Sequence, residues 1–434
     1  MESISHILFY LFHLFSSVSH QFRDALFQIS ARTLYQQFLL FWPALLLDIP
    51  RSLTACSWGI VTAERFKTVS SGDFPGVSVL IPGYNEEETI GYTIESLLNG
   101  HYPNLEIVVV DDGSDDRMEE VCRPYARSGR IIYSRNRVRS GKSASLNHAF
   151  SLASGEFTVM MDADSVFDPQ AIREIIRPFN NPKVGAVAGN LRLANADRSF
   201  WTRLQDYEYA FTIGIGRRLL FSARTLSIVS GAFGAFRSDL LRKVGGWEVG
   251  PGEDADLTLK IRKSGYRIAF APRALCYTVA PAALTGLFRQ RLRWNRSLVR
   301  VRLRKHRDIL FPGRFSFFAL AGLAESFFFQ VVFLYARIPY FWSLASEGKL
   351  LLPIFIINFL LYFGLHIIQF LTILLISENR RRDCRLIRAV IPAFIYHFML
   401  GIVRGYAYIN ELAFRSSYRD SFVPARVRKK LSKY

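Results

Sequence analysis

Two aspartates near the middle of the chain have the spacing of a metal-binding pair. Asp162 and Asp164 follow the apolar run Phe157–Met161, and in an extended chain residues i and i+2 point to the same side. Two carboxylates on one side suit a hard divalent cation, Mg²⁺ or Mn²⁺, shared with phosphate oxygens. Exposed loop aspartates or a helix N-cap are the alternative interpretation, because Asp168-Pro169 follows.

A lysine and an aspartate elsewhere suit anion binding and proton transfer. Lys142 stands at a predicted helix start, where the helix dipole favours anions, but Asn136 occupies the glycine position that a P-loop requires. Lys142 is therefore interpreted as a phosphate contact or as a solvated lysine. Glu253 and Asp254 precede the predicted helix Ala255–Lys263, which suits helix capping. Asp254 also suits a general base that takes a hydroxyl proton.

The segment 287–307, LFRQRLRWNRSLVRVRLRKHR, has the pattern of a basic amphipathic helix. Gln290, Arg293 and Trp294 lie at i, i+3 and i+4 and share one face. The arginine stripe through this face comprises Arg289, Arg293, Arg296, Arg300 and Arg304. Such a helix fits a membrane surface. Nucleic acid is the competing interpretation, but the chain shows no reading module and no further aromatics beside the arginines.

The stretch 74–280 alternates short apolar runs with helical patterns. The predicted strands are Val77–Ile81, Leu105–Val110, Arg130–Tyr133 and Phe157–Met161, and the predicted helices are Glu87–Leu98 and Lys142–Ala153. Continuous apolar strands between helices indicate an α/β fold with a mostly parallel sheet. Polar clusters stand at three strand ends, Tyr84-Asn85, Asp111-Asp112 and Asp162/Asp164. Because ligands bind at the carboxyl ends of such strands, these clusters predict one nucleotide-sized site.

The composition indicates a membrane protein. The 434 residues carry a formal net charge of +19, which suits a nucleic acid or an anionic membrane surface. Leu351–Ile376 contains no charged residue, and as a helix it would be about 39 Å long, more than the roughly 30 Å of a hydrocarbon core. Phe315–Ala345 and Leu386–Leu412 are further predicted membrane segments. Arg404, inside the last of them, should face protein or a wet cavity.

The topology around these segments is only partly determined by the sequence. Apolar residues at helical spacing between Ile4 and Val18 predict an interfacial helix, and Phe38–Val61 predicts either a kinked span or two pieces. The positive-inside rule places the arginine-rich loop Asn379–Arg388, and the middle domain with it, in the cytoplasm. Three full spans after that domain would put the basic tail Arg415–Tyr434 outside. Either one segment lies only in the interface, or the tail is an exception.

Several stretches occur in an order that resembles one enzyme family. They are VSVLIPGYNEEETI, VVVDDGSDD, GKSASLNHA, MDADS, VSGAFGAFR, GED and QRLRW. The ordered set is similar to that of the processive glycosyltransferases of family 2, which are the synthases of cellulose, chitin, hyaluronan and poly-N-acetylglucosamine. The resemblance covers residues 74–300 and implies a GT-A (nucleotide-diphospho-sugar transferase) fold, with membrane helices on both sides.

On the donor side, the resemblance implies a contact to a UDP-sugar from each of several motif residues. They are Tyr84, Asp112, Lys142, Asp162, Ser230, Gly231 and Arg293. Tyr84 and Asp112 would contact the uracil, and Ser230 and Gly231 would line the sugar site. Asp162 and Asp164 would together hold Mg²⁺ or Mn²⁺ on the diphosphate.

On the acceptor side, the resemblance makes Asp254 the catalytic base and places Glu253, Gln290 and Trp294 around the acceptor sugar. Trp294 would stack under that sugar at the mouth of a channel. One residue departs from the pattern, because Gly252 stands where cellulose synthases and many poly-N-acetylglucosamine synthases have threonine. Chitin-type enzymes carry the glycine form, so this departure leaves the identity of the sugar open.

The implied function is a membrane-embedded, processive, inverting β-glycosyltransferase that polymerises a UDP-activated hexose and secretes the polymer. UDP-N-acetylglucosamine is favoured and UDP-glucose is next; the alternative is a single transfer to a lipid-phosphate acceptor. The implied partners are the UDP-sugar, the growing polysaccharide, the lipid bilayer of the inner or plasma membrane and an accessory export subunit, with no nucleic acid. The predicted divisions are an N-terminal membrane region 1–70, a cytoplasmic catalytic domain 71–280, interface helices 281–313 and a C-terminal membrane region 314–434.

Overall fold

The computed structural model of the chain describes residues 20, 22–63, 74–310, 317–419 and 423–425. The interfacial helix that the sequence predicts between Ile4 and Val18 lies outside the described residues, as do 420–422 and 426–434 of the basic tail.

One sheet forms the centre of the middle domain. Its strands are β1 Val77–Gly83, β2 Leu105–Asp111, β3 Ile132–Arg135, β4 Phe157–Met161, β5 Val166–Phe167, β6 Val184–Leu193, β7 Phe233–Arg237 and β8 Arg267–Thr278. Their order across the sheet is β3-β2-β1-β4-β7-β6-β8-β5. The neighbouring pairs from β3 to β4 are parallel, and so are β6 and β8, whereas β7 runs antiparallel to both of its neighbours. The predicted mostly parallel α/β sheet is therefore confirmed.

Helices cover the sheet and continue beyond it on both sides. They are α1 Leu34–Trp42, α2 Ile49–Ala63, α3 Ile90–Leu98, α4 Met118–Arg127, α5 Lys142–Leu152, α6 Ala171–Ile176, α7 Phe200–Tyr209, α8 Arg217–Ser222, α9 Ser238–Lys243, α10 Glu253–Lys263, α11 Leu284–Val299, α12 Phe317–Phe327, α13 Phe333–Ala345, α14 Leu351–Ile376, α15 Arg380–Asp383 and α16 Ile387–Phe414. Short 3₁₀- or π-helical segments are Pro43–Asp48, Arg177–Asn180, Ala210–Gly216, Arg300–Lys305, Arg307–Leu310, Phe328–Val332, Gly348–Leu350, Cys384–Leu386 and Ser416–Arg419.

The central strands are buried on both faces, as their unbroken apolar sequence requires. In β1, Val79 and Ile81 belong to a buried cluster with Ile90 of α3, whereas Leu80 belongs to a second cluster with Leu146 of α5. Each such side chain contributes about 1.5–3 kcal/mol when it is fully buried. The two clusters hold α3 and α5 on opposite faces, and this fixes the strand ends between them.

The register brings the ends of the first three strands to one edge of the sheet. Gly83 at the end of β1 pairs with Asp111 at the end of β2, and Asp111 pairs with Arg135 at the end of β3. The chain segments that follow these residues must therefore emerge side by side.

Several predicted boundaries are wrong by two or three residues: β1 and β3 each end two residues later than predicted, and the helix predicted from Ala255 begins at Glu253. Two further differences have a visible cause. The strand predicted at Arg130–Tyr133 begins at Ile132, because the Arg130 amide donates to Tyr125 O at 3.0 Å and so completes the turn after α4. The helix predicted from Glu87 begins at Ile90. The Glu87 amide instead donates to Asp116 Oδ2 at 2.9 Å, which ties this turn to the loop after β2.

The candidate membrane helices match the predicted segments. Among the described residues, the continuous helical runs long and apolar enough to span a bilayer are Leu34–Ala63, Leu320–Ala345, Gly348–Ile376 and Arg380–Phe414. The N-terminal run is one helix with a π-helical turn at Pro43–Asp48, rather than two pieces. Arg32, before α1, forms an ion pair at 2.6 Å with Glu347, in the turn between α13 and α14, so these ends lie together.

The residue before α10 allows another helix to come very close. Gly252 has φ +83°, and a Cβ added there would lie 3.1 Å from Ser297 Cβ of α11 and 3.1 Å from Val301 Cγ2. Arg300 reinforces this contact, because one of its guanidinium nitrogens donates to Pro251 O at 2.9 Å. Threonine at position 252 would meet both the backbone strain and the collision, so the glycine is explained by packing.

This close approach predicts unequal effects of two glycine-to-alanine substitutions. Gly245 has φ +81° but no atom within 4 Å of an added Cβ, so Gly245→Ala carries only the left-handed backbone strain of about 1–2 kcal/mol. Gly252→Ala adds overpacking against α11, typically about 1–3 kcal/mol more. We expect Gly252→Ala to lower the melting temperature in detergent clearly more than Gly245→Ala. Equal shifts would show that α11 does not press on this residue.

Candidate active site

A cluster of charged side chains is organised around the backbone of Gly231, which precedes β7. The Lys142 ammonium, at the start of α5, donates to Gly231 O at 3.1 Å. The Gly231 amide donates to Asp254 Oδ2 at 3.2 Å. Lys142 also forms a short ion pair with Asp162, and its Nζ lies 3.9 Å from Glu253 Oε1. The structure thus brings together five of the residues that the sequence singled out.

The backbone fixes the carboxylate of Asp254 on both oxygens. Oδ1 accepts from the amide of Ala255 at 2.7 Å, while Oδ2 accepts from Gly231. The N-cap of α10 is nevertheless Gly252 rather than an acidic residue, and Asp254 lies inside the first turn of the helix, where these two backbone contacts fix its carboxylate. Burial raises the pKa of Asp254 and of neighbouring Glu253 above the ordinary range of carboxyl groups. A carboxylate with a raised pKa is the stronger base, which suits general-base chemistry.

Lys142 supplies the positive charge of this cluster. Its burial alone would lower the pKa of the ammonium, but Asp162 and Glu253 outweigh that effect and raise the pKa. Lys142 therefore stays charged and can interact with a bound anion, as its place at a helix start suggested.

The aspartate pair after β4 has the chemistry of a partial cation site. Burial, together with the charges of Asp162 and Glu86, raises the pKa of Asp164 to about 7. Such repulsion is relieved by a divalent cation. In the described part of the chain no group of three or more acidic, histidine or cysteine side chains is arranged to hold a metal ion. A pair of carboxylates nevertheless fits Mg²⁺ or Mn²⁺ that also takes oxygen ligands from a bound phosphate and from water.

Asp112 and Tyr84 lie at neighbouring strand ends, as predicted. The buried carboxylate of Asp112 accepts from the amides of Ser140 and Gly141, at 2.8 and 2.7 Å, and from two nearby side chains. Asp112 thus holds the loop that leads to Lys142. The ring of Tyr84 stacks on the guanidinium of Arg139 at 4.0 Å. No sequence pattern indicated this arginine contact.

The remaining predicted residues lie on α11 and before β7. Ser230 is half-buried beside Gly231. Gln290 and Arg293 are half-buried on α11, and Trp294 is 37% exposed. Among the described atoms, Gln290 Oε1 is buried and has no hydrogen-bond partner, which suits a ligand contact. Because Ser297 of the same helix adjoins Gly252, this face of α11 lies beside the turn that carries Glu253 and Asp254.

A buried ion pair that no sequence motif indicated lies beside Trp294. The Arg291 guanidinium lies 4.8 Å from the centre of the Trp294 ring. It also forms two hydrogen bonds with Glu208 of α7, at 2.9 and 2.7 Å. Tyr396 of α16 donates to the same carboxylate at 2.7 Å. The position of Arg291, three residues before the tryptophan on one helix, was the only available signal, and its partner is 83 residues away.

Relatives among known proteins match the middle of the chain. The sequence is 36% identical over 221 residues to the poly-beta-1,6-N-acetyl-D-glucosamine synthase of Staphylococcus epidermidis, covering 50% of this chain and 53% of that protein. It is 32% identical over 254 residues to the synthase of the same name from Staphylococcus aureus, covering 58% and 61%. The chain therefore spans less than two thirds of the length of either relative.

The fold and the family agree with this match. The solved mannosyltransferase PcManGT from Pyrobaculum calidifontis, in complex with GDP-Man and Mn²⁺, superposes with a TM-score of 0.55 at 22% identity, covering 82% of this chain and 99% of that one. This likeness confirms the predicted GT-A fold. Residues 75–297, about half of the chain, match the family described as "Glycosyltransferase like family 2". The chain is therefore a member of glycosyltransferase-like family 2.

Proposed function

We propose that the protein is a membrane-embedded, processive, inverting β-glycosyltransferase that uses a UDP-activated hexose. The observation that carries the proposal is the junction at Gly231, where one backbone unit binds both the Lys142 ammonium and the Asp254 carboxylate. The carbonyl of Gly231 thus binds the proposed cation for the diphosphate, and its amide binds the proposed base for the acceptor hydroxyl. The names of the Staphylococcus relatives favour UDP-N-acetylglucosamine as donor and a β-1,6-linked polymer as product, with UDP-glucose next.

The proposed reaction is a single displacement at the anomeric carbon. Asp254 takes the proton of the acceptor hydroxyl as that oxygen forms a bond to C1 of the donor sugar. The bond from C1 to the diphosphate breaks with its electron pair, and UDP leaves. Lys142 and Arg293 stabilise the negative charge that develops on the leaving group. Because the attack comes from the face opposite UDP, the new linkage is inverted.

We further propose which residues hold the substrates. Asp162 and Asp164 would hold Mg²⁺ or Mn²⁺, which neutralises diphosphate charge when bound. Tyr84, with Asp112 and the loop it anchors, would bind the uracil, and Ser230 would line the sugar site. Glu253, Gln290 and Trp294 would surround the acceptor.

The catalytic domain is proposed to face the cytoplasm. Arg385 pairs with Asp197 of the domain at 2.8 Å, and Arg382 donates to Leu193 O at 2.6 Å. The arginine-rich loop is thus fixed to the domain, and the positive-inside rule applies to both. The membrane helices would conduct the polymer outward, with half-buried Arg404 of α16 as a candidate residue at the mouth of the channel. An accessory export subunit would join the complete system.

A direct test measures product length. Membrane vesicles containing the protein are incubated with labelled UDP-sugars and Mg²⁺ or Mn²⁺, and the product is then digested with linkage-specific hydrolases. We expect a ladder of polymer from UDP-N-acetylglucosamine. One sugar per lipid acceptor would indicate the alternative, a single-transfer enzyme, and no product from any UDP-sugar would overturn the proposal.

Asp254→Asn should lower transfer by at least about 10²-fold while UDP binding persists, because the amide cannot take the proton. The matched control is Asp239→Asn. Asp239 also stands in the first turn of a helix, and its Oδ1 accepts from the next amide at 2.7 Å. The control should transfer normally. Undiminished transfer by Asp254→Asn would rule out this base.

Removal of divalent cations should abolish transfer, and added Mn²⁺ or Mg²⁺ should restore it. Asp162→Asn and Asp164→Asn should each lower kcat by about 10²-fold or more and abolish the increase in UDP affinity that the cation produces. Asp168→Asn is the control, because its carboxylate caps the amide of Gln170 at 3.0 Å. Isothermal titration with UDP, with and without cation, would check this. Unchanged titrations in both variants would reject the metal assignment.

Glu208→Gln should shorten the polymer and raise the KM for the acceptor. The rate at which the donor UDP-sugar is hydrolysed should change less. The physical reason is that Arg291 loses its charged partner and no longer holds Trp294 in place. Arg291→Lys should show a milder form of the same change. Arg289→Ala, which alters an exposed arginine of the same helix, should leave product length unchanged. If Glu208→Gln made polymer of wild-type length, the ion pair would not be needed to hold Trp294 in place under the acceptor sugar.

A further inference from the structure

We infer that α16 does not cross the membrane but lies flat between the catalytic domain and the lipid, presenting one apolar face to the bilayer. Its length and composition are those of a spanning helix. The contacts at its two ends, however, are both with the catalytic side of the protein.

The segment entering α16 is held to the catalytic domain. Asp383, in α15, accepts from the guanidinium of Arg192 in β6 at 2.7 Å, and both groups are buried. Arg385, two residues later, forms the ion pair with Asp197 before α7. The helix therefore starts on the surface of the catalytic domain.

The last turn of α16 is held to the same side. Glu411 is fully buried and forms an ion pair at 2.6 Å with Arg304. Lys305, the next residue after Arg304, pairs at 2.9 Å with Asp256 of α10, the helix that begins with Glu253 and Asp254. About 26 residues, or roughly 39 Å of helix, separate the anchors at Arg385 and Glu411. A spanning helix would place these anchors on opposite sides of a bilayer.

Helix α11, which packs against α16, is also held to the catalytic domain at both of its ends. Its entry is tied to the domain by the Ser199 hydroxyl, which donates to Ala282 O at 2.8 Å. Its far end is tied by Arg300 to Pro251 O. The basic helix α11 thus lies on the domain surface, and α16 packs against it.

The outer face of α16 has the chemistry of a lipid contact. The exposed large side chains recur every three or four residues, as Ile387, Ile391, Ile395, Phe398, Ile402, Tyr406, Ile409 and Leu412. The opposite face is buried and includes small residues such as Ala389, Ala393 and Ala407. Exposed arginines precede the helix at Arg381 and Arg385, and Arg415 follows it, at positions that suit anionic headgroups. The surface is continuous with the membrane helices, because Phe398 meets Phe341 of α13.

The tail after α16 stays with the catalytic domain. The ring of Tyr418 lies 5.3 Å from the Arg300 guanidinium. Pro424 approaches the loop before α5, where a Cβ added to Gly141 would lie 3.4 Å from Pro424 Cδ. With α16 in the interface, two spans follow the domain rather than three. The basic tail then shares the side of the other basic segments.

Cysteine labelling tests this topology. Cys384 is exposed just before α16, whereas Cys56, Cys122 and Cys276 are buried. In a Cys384→Ser background, Ser416→Cys places a thiol just after α16, and Ser346→Cys places one in the exposed turn between α13 and α14. Labelling with a membrane-impermeant maleimide is compared between intact cells and inverted vesicles. We expect Cys384 in the native chain and Ser416→Cys to label from one side, and Ser346→Cys from the other.

Labelling of Ser416→Cys together with Ser346→Cys would show that α16 spans and would overturn the inference. The test compares the side from which residues 384, 416 and 346 are labelled. Its outcome therefore does not depend on which compartment contains the catalytic domain or on which sugar the protein uses. The Cys384→Ser chain alone measures background labelling of the buried thiols.

The depth of the helix supplies a second measurement. Ile391→Cys, Ile402→Cys and Ile409→Cys in the same background carry nitroxide labels on one stripe of the helix. A flat helix gives all three labels the same ratio of oxygen to nickel-chelate accessibility. A spanning helix would spread the outer two by roughly 27 Å along the bilayer normal and make the middle label the deepest. That pattern would reject the inference even if labelling of residue 416 failed.

Discussion

A single ammonium group balances the acidic cluster on which the active site depends. Lys142 pairs with Asp162 and lies near Glu253, and the pKa values of Glu253 and Asp254 are raised by their burial. Buried carboxylates are costly unless a cation or hydrogen bonds compensate them. The fold meets this requirement by bringing the start of α5, the end of β4 and the start of α10 to one point. In the proposed reaction, a bound diphosphate with its cation would offer new partners to both members of the Lys142–Asp162 pair, so donor binding and the charge balance of the proposed base would be linked.

The helix α11 couples this cluster to the membrane side of the protein. At Gly252 it touches the turn before the proposed base, and through Arg291 it supports the ring of Trp294. The contact at Gly252 is close-packed, whereas Trp294 is 37% exposed and is held by the guanidinium beside its ring. The position of Trp294 relative to the proposed base is therefore set by packing between helices rather than by a flexible loop. This suits a site in which each added sugar must return to the same position.

The sequence predicts most of what is local in this structure. The strands β1, β2 and β4 were recognisable because buried parallel strands are continuous apolar runs, and the acidic and basic motifs follow their ends. What the sequence could not show depends on distant partners. Arg291 lies outside the arginine stripe, and only the position of Glu208 beside it shows what its guanidinium binds. Gly252 looked like a departure from the family pattern that bears on the sugar, whereas its positive φ and the nearness of Ser297 explain it by packing.

Hydropathy is also the reason why α16 resembles a spanning segment. Mean hydropathy over a sequence window combines the face of a helix that packs on protein with the face that meets lipid. A helix that is apolar on both faces therefore has the same mean hydropathy whether it crosses the bilayer or lies flat. Only polar residues at its ends distinguish the two, and only through their partners. Tyr396 makes the consequence concrete, because this α16 residue binds Glu208, which binds Arg291, which supports Trp294. A helix that touches lipid is thus two side chains away from Trp294, and its position helps to set the geometry of the proposed acceptor platform.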